Sequence, residues 1–206
     1  LQGSALATLL MGLRGTVFVY QGEELGSENG KFNSIEEYDD LNTKDQYRRA
    51  LRAGYDEAQS LKFVNDRSRD NSRMPFPWTA EANGGFTSGI PWLKCNDDYA
   101  AICAKKQEQD KDSLLHYYRN LIRIRKDEAN RESLIYGEVR EIQNALESVI
   151  AFERIAENGE KIQIWINMSD ETRQADIAEG EILCNNYSET SQKSLNPYQA
   201  VMVRRR

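Results

Sequence analysis

Two arginines, Arg69 and Arg73, stand four positions apart in the run Arg69-Asp70-Asn71-Ser72-Arg73. A guanidinium is a planar fork of donors that never sheds its charge, so it can serve a neutral hydroxyl and an ionised partner together; a lysine cannot. The residues alone allow two readings of this run: donors that position a polar ligand, or an arginine–aspartate ion pair that pins a loop. Glu23 and Glu24 are the second candidate, a carboxylate pair of the kind that general acid–base chemistry requires. Neighbours in sequence project in different directions, however, and we read this pair as hydrogen-bonding groups. The acidic run Glu36-Glu37-Tyr38-Asp39-Asp40 reads as a solvated loop.

Other chemistries find little support. Cys95, Cys103 and Cys184 cannot all pair with one another, and none has a metal-binding spacing, so they read as free thiols of a reducing compartment. The single histidine, His116, falls within a helical pattern and leaves no serine–histidine–aspartate arrangement. With 27 Lys+Arg against 33 Asp+Glu, the net charge of −6 argues against a nucleic-acid or anionic-membrane surface. No run approaches the roughly 18 apolar residues of a membrane span.

Elements must position these residues, and 206 residues with 39% hydrophobic content suffice for a core. Leu6, Leu9, Leu10 and Leu13 recur on one face of a predicted helix that Gly15 ends. Thr16-Val17-Phe18-Val19-Tyr20 then reads as a strand buried on both faces, as in parallel sheets covered by helices. This places Gln21-Gly22-Glu23-Glu24 at the strand's C-terminal end. Helices are predicted over 43–53 and 57–63, and another from a cap at Asp112 or Ser113 to Lys126, with Leu114, Tyr118, Leu121, Ile122 and Arg125 on one stripe. Between them, 67–111 has little periodicity but holds Trp78, Phe86 and Trp92, which read mainly as aromatics packing the loop down. After about Glu132 short β-forming runs follow, over 134–142, 149–155, 161–167, 172–177, 182–184 and 200–204. Their spacing describes a small antiparallel sandwich. Trp165 alternates inward and reads as core, against a ligand-binding role for the tail. One buried-type strand with one helix before it cannot close a barrel.

The motifs Tyr20-Gln21-Gly22-Glu23-Glu24-Leu25-Gly26, Arg69 to Trp78, Gly85-Phe86-Thr87 and Gly89-Ile90-Pro91-Trp92-Leu93 together resemble the bacterial α-glucosidases of the α-amylase superfamily, the oligo-1,6-glucosidase group in particular. The resemblance implies a fold of mixed α/β and all-β class: the C-terminal end of a (β/α)8 TIM barrel over 1–130, then a small antiparallel β-sandwich domain over 131–206. It implies an exo-acting glycosidase that retains anomeric configuration, with Arg69 reaching the glucose unit at the substrate's non-reducing end and Arg73 as the second arginine of the motif. The family carries its nucleophile, general acid and third carboxylate before the stretch that resembles this N-terminus. No catalytic residue is therefore expected here, and the chain alone is expected to be inactive. Neither a cofactor nor a metal is implied. The implied partners are α-glucoside oligosaccharides and the remainder of the catalytic barrel, in the cytoplasm, with no nucleic acid and no membrane. Val17, Met74, Pro77 and Cys103 depart from the family pattern, and Asn42 stands where relatives often place a glutamate on the aglycone side. The competing reading is a non-catalytic glucosidase-like scaffold, which would have no use for a sugar-positioning arginine.

Overall fold

The C-terminal strands pair in the register their alternating side chains call for. The computed structural model describes residues 1–143 and 147–205, which pack as two compact units, Leu1–Phe18 with His116–Arg206, and Val19–Leu115.

The first unit is built on a five-stranded antiparallel sheet. β2 (Val149–Ile155), β3 (Lys161–Asn167) and β7 (Ala200–Arg205) lie inside, with β1 (Glu138–Glu141) and β5 (Glu181–Asn185) at the edges. Ala151 pairs with Trp165 and Trp165 with Val201, so period-two alternation gathers one set of side chains on one face. There Val149, Ala151, Trp165, Val201 and Val203 form a core with Ile177 and Leu195. Leu195 belongs to a two-stranded pair of β4 (Arg173–Gln174) and β6 (Ser194–Leu195). Trp165 is only 2% exposed, which makes it a core residue as its alternation predicts. The other face carries Phe152, Ile162, Ile164 and Met202, all buried, and meets α1 (Gln2–Gly12).

The leucine stripe predicted as the inner face of α1 is not the buried one. Leu6 and Leu13 are exposed, while Ser4, Ala5, Ala7, Thr8, Met11 and Gly12 are buried. Small residues win because the helix lies close to the sheet: a methyl at Gly12 would stand 3.2 Å from both Ile164 and Phe152. Thr16 to Tyr20 likewise forms no ladder, and Phe18 is 82% exposed. A strand is a pairing relation, and no described strand bonds this segment. The predicted run 134–142 divides, with Glu132–Tyr136 closing a π-turn before β1 begins at Glu138.

Two arginines hold the end of α1. Arg125, on α5 (Leu114–Lys126), donates to the carbonyls of Met11, Leu13 and Gly15 at 2.5, 3.0 and 2.8 Å. Arg154 is fully buried and donates to the carbonyls of Gly12, Leu134 and Gly137 at 2.7, 2.7 and 2.9 Å. The last carbonyls of a helix lack partners within it and carry negative partial charge, so cations belong there.

The second unit folds around Phe32, Tyr38, Val64 and Met74, joined by Ile35, Tyr47 and Leu61. α2 (Leu41–Arg52) and α3 (Glu57–Asn65) pack together, close to the predicted spans. Asp56 and Gln59 close a reciprocal capping box at the start of α3. The stretch over 67–111 is mostly irregular, with the short 3-10 turns Arg69–Arg73 and Ala82–Gly85 and the helix α4 (Ala104–Gln109). Its aromatics pack it down less than predicted: Trp78 meets the Phe76 ring at 4.6 Å between centroids, but Trp78, Phe86 and Trp92 are all more than half exposed. Buried Leu93, Cys95 and Cys103 hold it instead, with backbone bonds from Ala104 to Pro77 and from Lys105 to Trp78. All three cysteines are free and buried.

Candidate substrate-binding site

Asp40 caps α2 because its side chain can accept from the unsatisfied amides of the first turn. Its Oδ2 accepts from the Thr43 amide at 3.1 Å and from Thr43 Oγ1 at 2.8 Å. Thr43 Oγ1 gives its one proton to that carboxylate, so the Ser68 hydroxyl, 2.8 Å away, donates to Thr43 Oγ1. Ser68 in turn caps the 3-10 turn Arg69–Arg73, its hydroxyl accepting from the Asp70 amide. Asp70 reaches back, Oδ2 accepting the amides of Asp39 and Asp40, each at 2.8 Å. The two turns are thus bolted together by their own side chains and backbone.

Both arginines of the motif converge on this frame. Arg69 Nη2 donates to Asp40 Oδ1 at 2.5 Å; Arg73 Nη1 lies 3.4 Å from Asp70 Oδ1 and 3.9 Å from Asp40 Oδ1. The carboxylates are buried, but the Arg69 side chain remains 60% exposed and that of Arg73 37%. The ion-pair reading of the run is thus present in this geometry. The ion pairs pin the loop, and both arginine side chains keep exposed surface beside their buried carboxylates. The predicted solvated loop is corrected in the same place: Tyr38 and Asp40 are buried, 1% and 4% exposed. Sequence reasoning missed Asp40, although an Asp directly before the first apolar residue of a helix, here Leu41, is an N-cap signal.

Burial opposes ionisation of Asp40, and the hydrogen bonds from Arg69 and Thr43 outweigh it, holding the carboxyl at about 2. Burial pushes the neighbouring Tyr38 phenol up to about 12, with Asp70 adding to the shift. The Asp40 value is below that of an unfolded aspartate, ~3.9, so its contribution to stability is complete above that pH and is lost as pH falls from about 4 to about 2. Acid unfolding followed between pH 5 and 2 should show the wild type losing about 1 kcal/mol more than Asp40→Asn, a figure reduced for the solvent exposure of Arg69. Equal losses would remove Asp40 as the titrating group.

The Glu23–Glu24 pair does what adjacent carboxylates can do. Glu23 accepts the Tyr20 amide at 3.1 Å and Glu24 the Gly22 amide at 2.8 Å, within the turn they belong to. Gly22 and Gly26 take φ of 94° and 72°, and both bracket the 3-10 turn Glu23–Leu25. Among the described residues no group of three or more His, Cys, Asp or Glu is arranged to hold a metal, and no helix is long and apolar enough to cross a membrane.

Residues 2–137 match the family model described as alpha amylase, catalytic domain. The chain belongs to the alpha-amylase family. It is 33% identical over 210 residues to the oligo-1,6-glucosidase of Bacillus cereus, covering 97% of this chain and 37% of that protein. It is 32% identical to the trehalose-6-phosphate hydrolase of Escherichia coli strain K12, covering 95% of this chain and 36% of the relative. Among solved structures, the trehalulose synthase MutB from Pseudomonas mesoacidophila MX-45 superposes with a TM-score of 0.89 at 33% identity, over 98% of this chain and 38% of that one. The chain thus spans under two fifths of each relative, and it corresponds to their C-terminal part. Its architecture is the end of a (β/α)8 barrel followed by an antiparallel β domain.

Proposed function

We propose that the chain is the C-terminal portion of an exo-acting α-glucosidase that hydrolyses short α-glucosides, isomalto- and malto-oligosaccharides, with retention. Arg69 and Arg73 bind the substrate in this reading, and the catalytic carboxylates lie upstream. Residues 1–130 supply the end of the catalytic barrel and 131–206 the β domain. The enzyme works in the cytoplasm, on sugar rather than nucleic acid or membrane, with the remainder of the barrel as its structural partner.

The observation that carries this reading is Arg69, anchored by one guanidinium nitrogen on a buried carboxylate while its side chain stays 60% exposed. An arginine held in this way offers preset donors to a neutral hydroxyl. The oligo-1,6-glucosidase relatives support a short α-glucoside as the ligand.

The test is release of p-nitrophenol from p-nitrophenyl α-glucoside. The purified 206-residue chain should release none, and the full-length protein that carries it should turn the substrate over. Turnover by the chain alone, abolished by Arg69→Ala, would place a complete site within these residues and overturn the assignment of catalysis to an upstream segment.

A further inference from the structure

We propose that Asp40 is a positioning residue for the proposed glucosidase reaction, orienting the Arg69 guanidinium so that its remaining donors face the substrate. This rests on the reading that Arg69 contacts substrate. An arginine side chain that is 60% exposed would by itself be spread over many rotamers, and binding would have to restrict them. A partner that is itself fixed removes that spread before the ligand arrives.

Asp40 is such a partner. Its side chain is 3% exposed, and Oδ2 is occupied by both the amide and the hydroxyl of Thr43. Oδ1 is left facing Arg69 at 2.5 Å, with Arg73 further off at 3.9 Å. The carboxylate plane is therefore set by the first turn of a 12-residue helix. The backbone is tied in the same sense, since Asp70, next to Arg69, accepts the Asp40 amide. Thr43 and Ser68 close a second link between the same two turns. Asp40 touches no reacting atom in this proposal and acts only through Arg69.

The test is a double-mutant cycle in the full-length protein, reading kcat/KM for p-nitrophenyl α-glucoside. Asp40→Asn is the main variant because asparagine caps helices as well as aspartate does, and Asp40→Ser repeats it with another capping oxygen. Both should keep the wild-type far-UV circular dichroism. Each should lower kcat/KM by about 10- to 100-fold, the scale of misorienting a contact group. Introduced into Arg69→Ala, either should change nothing further, because the residue they act through is gone. A merely structural Asp40 would produce multiplicative losses, and that outcome would overturn the proposal. An impaired Arg69→Ala beside unimpaired Asp40 variants would overturn it while sparing the substrate-binding reading. A fully active Arg69→Ala would overturn that reading and this proposal together.

Discussion

Replacing Arg154 with methionine is expected to destabilise the unit that contains the β-sheet by about 2–4 kcal/mol. Arg154 is fully buried, and its partners among the described residues are the carbonyls of Gly12, Leu134 and Gly137. Burial, with the nearby charges of Arg125 and Arg14, lowers its pKa to about 10. That is far enough above neutrality to keep it charged. Methionine fills a similar volume but leaves three buried acceptors without a donor, each costing roughly 1–3 kcal/mol. Removing a buried charge offsets part of this, which sets the upper end of the range. Arg154→Lys should be no milder, because an ammonium on a shorter reach cannot span three carbonyls that a guanidinium serves with two nitrogens. Trp165, buried in the same unit, gives a fluorescence signal for denaturant unfolding. A lysine variant of wild-type stability would show that charge at the helix end matters and the fork does not.

The same arginine shows why some of this fold was readable in sequence and some was not. β2 and β3 were legible to the residue because alternation and flanking turns are local signals. The stretch from Ser113 to Lys126 was legible because its stripe repeats at helical spacing. The buried face of α1 was not: its inner residues are small, and their burial depends on how closely Ile164 and Phe152 approach Gly12. Nothing within the helix reports that distance. The run from Thr16 to Tyr20 has strand composition, but composition cannot supply a neighbour. The site divided in the same way. Arg69 and Arg73 were visible through their motif, whereas Asp40 lies 29 positions upstream of Arg69, in an acidic run whose surface appearance concealed its burial. Asp70 sat in full view between the arginines, yet its bonds go to the amides of Asp39 and Asp40, which sequence spacing does not reveal.

Asp70→Ala should therefore be the most damaging change in the second unit, with an expected loss of about 3–5 kcal/mol. Asp70 is 0% exposed. One oxygen accepts two backbone amides at 2.8 Å and the other faces Arg73. Alanine leaves both donors unpaired at the entrance to α2, the Asp40 amide buried and that of Asp39 partly so, and it removes the nearer acidic partner of Arg73. Asp70→Asn should lose less, about 1–2 kcal/mol, since its carbonyl oxygen can still take the two amides while its amino group meets Arg73 without attraction. A global unfolding curve would blend two units, so the cleaner measurement is amide hydrogen exchange. The Asp39 and Asp40 amides should exchange far faster in Asp70→Ala, with Ile164 and Trp165 in the β-sheet unchanged. If protection were lost equally in both units, the change would be reporting general instability, and the bolt between the two turns would not be what orders the Arg69 loop. If the loss is confined to the second unit, kcat/KM of the full-length Asp70→Ala protein should fall with it, because the turn that carries Arg69 and the turn that carries Asp40 share this one carboxylate.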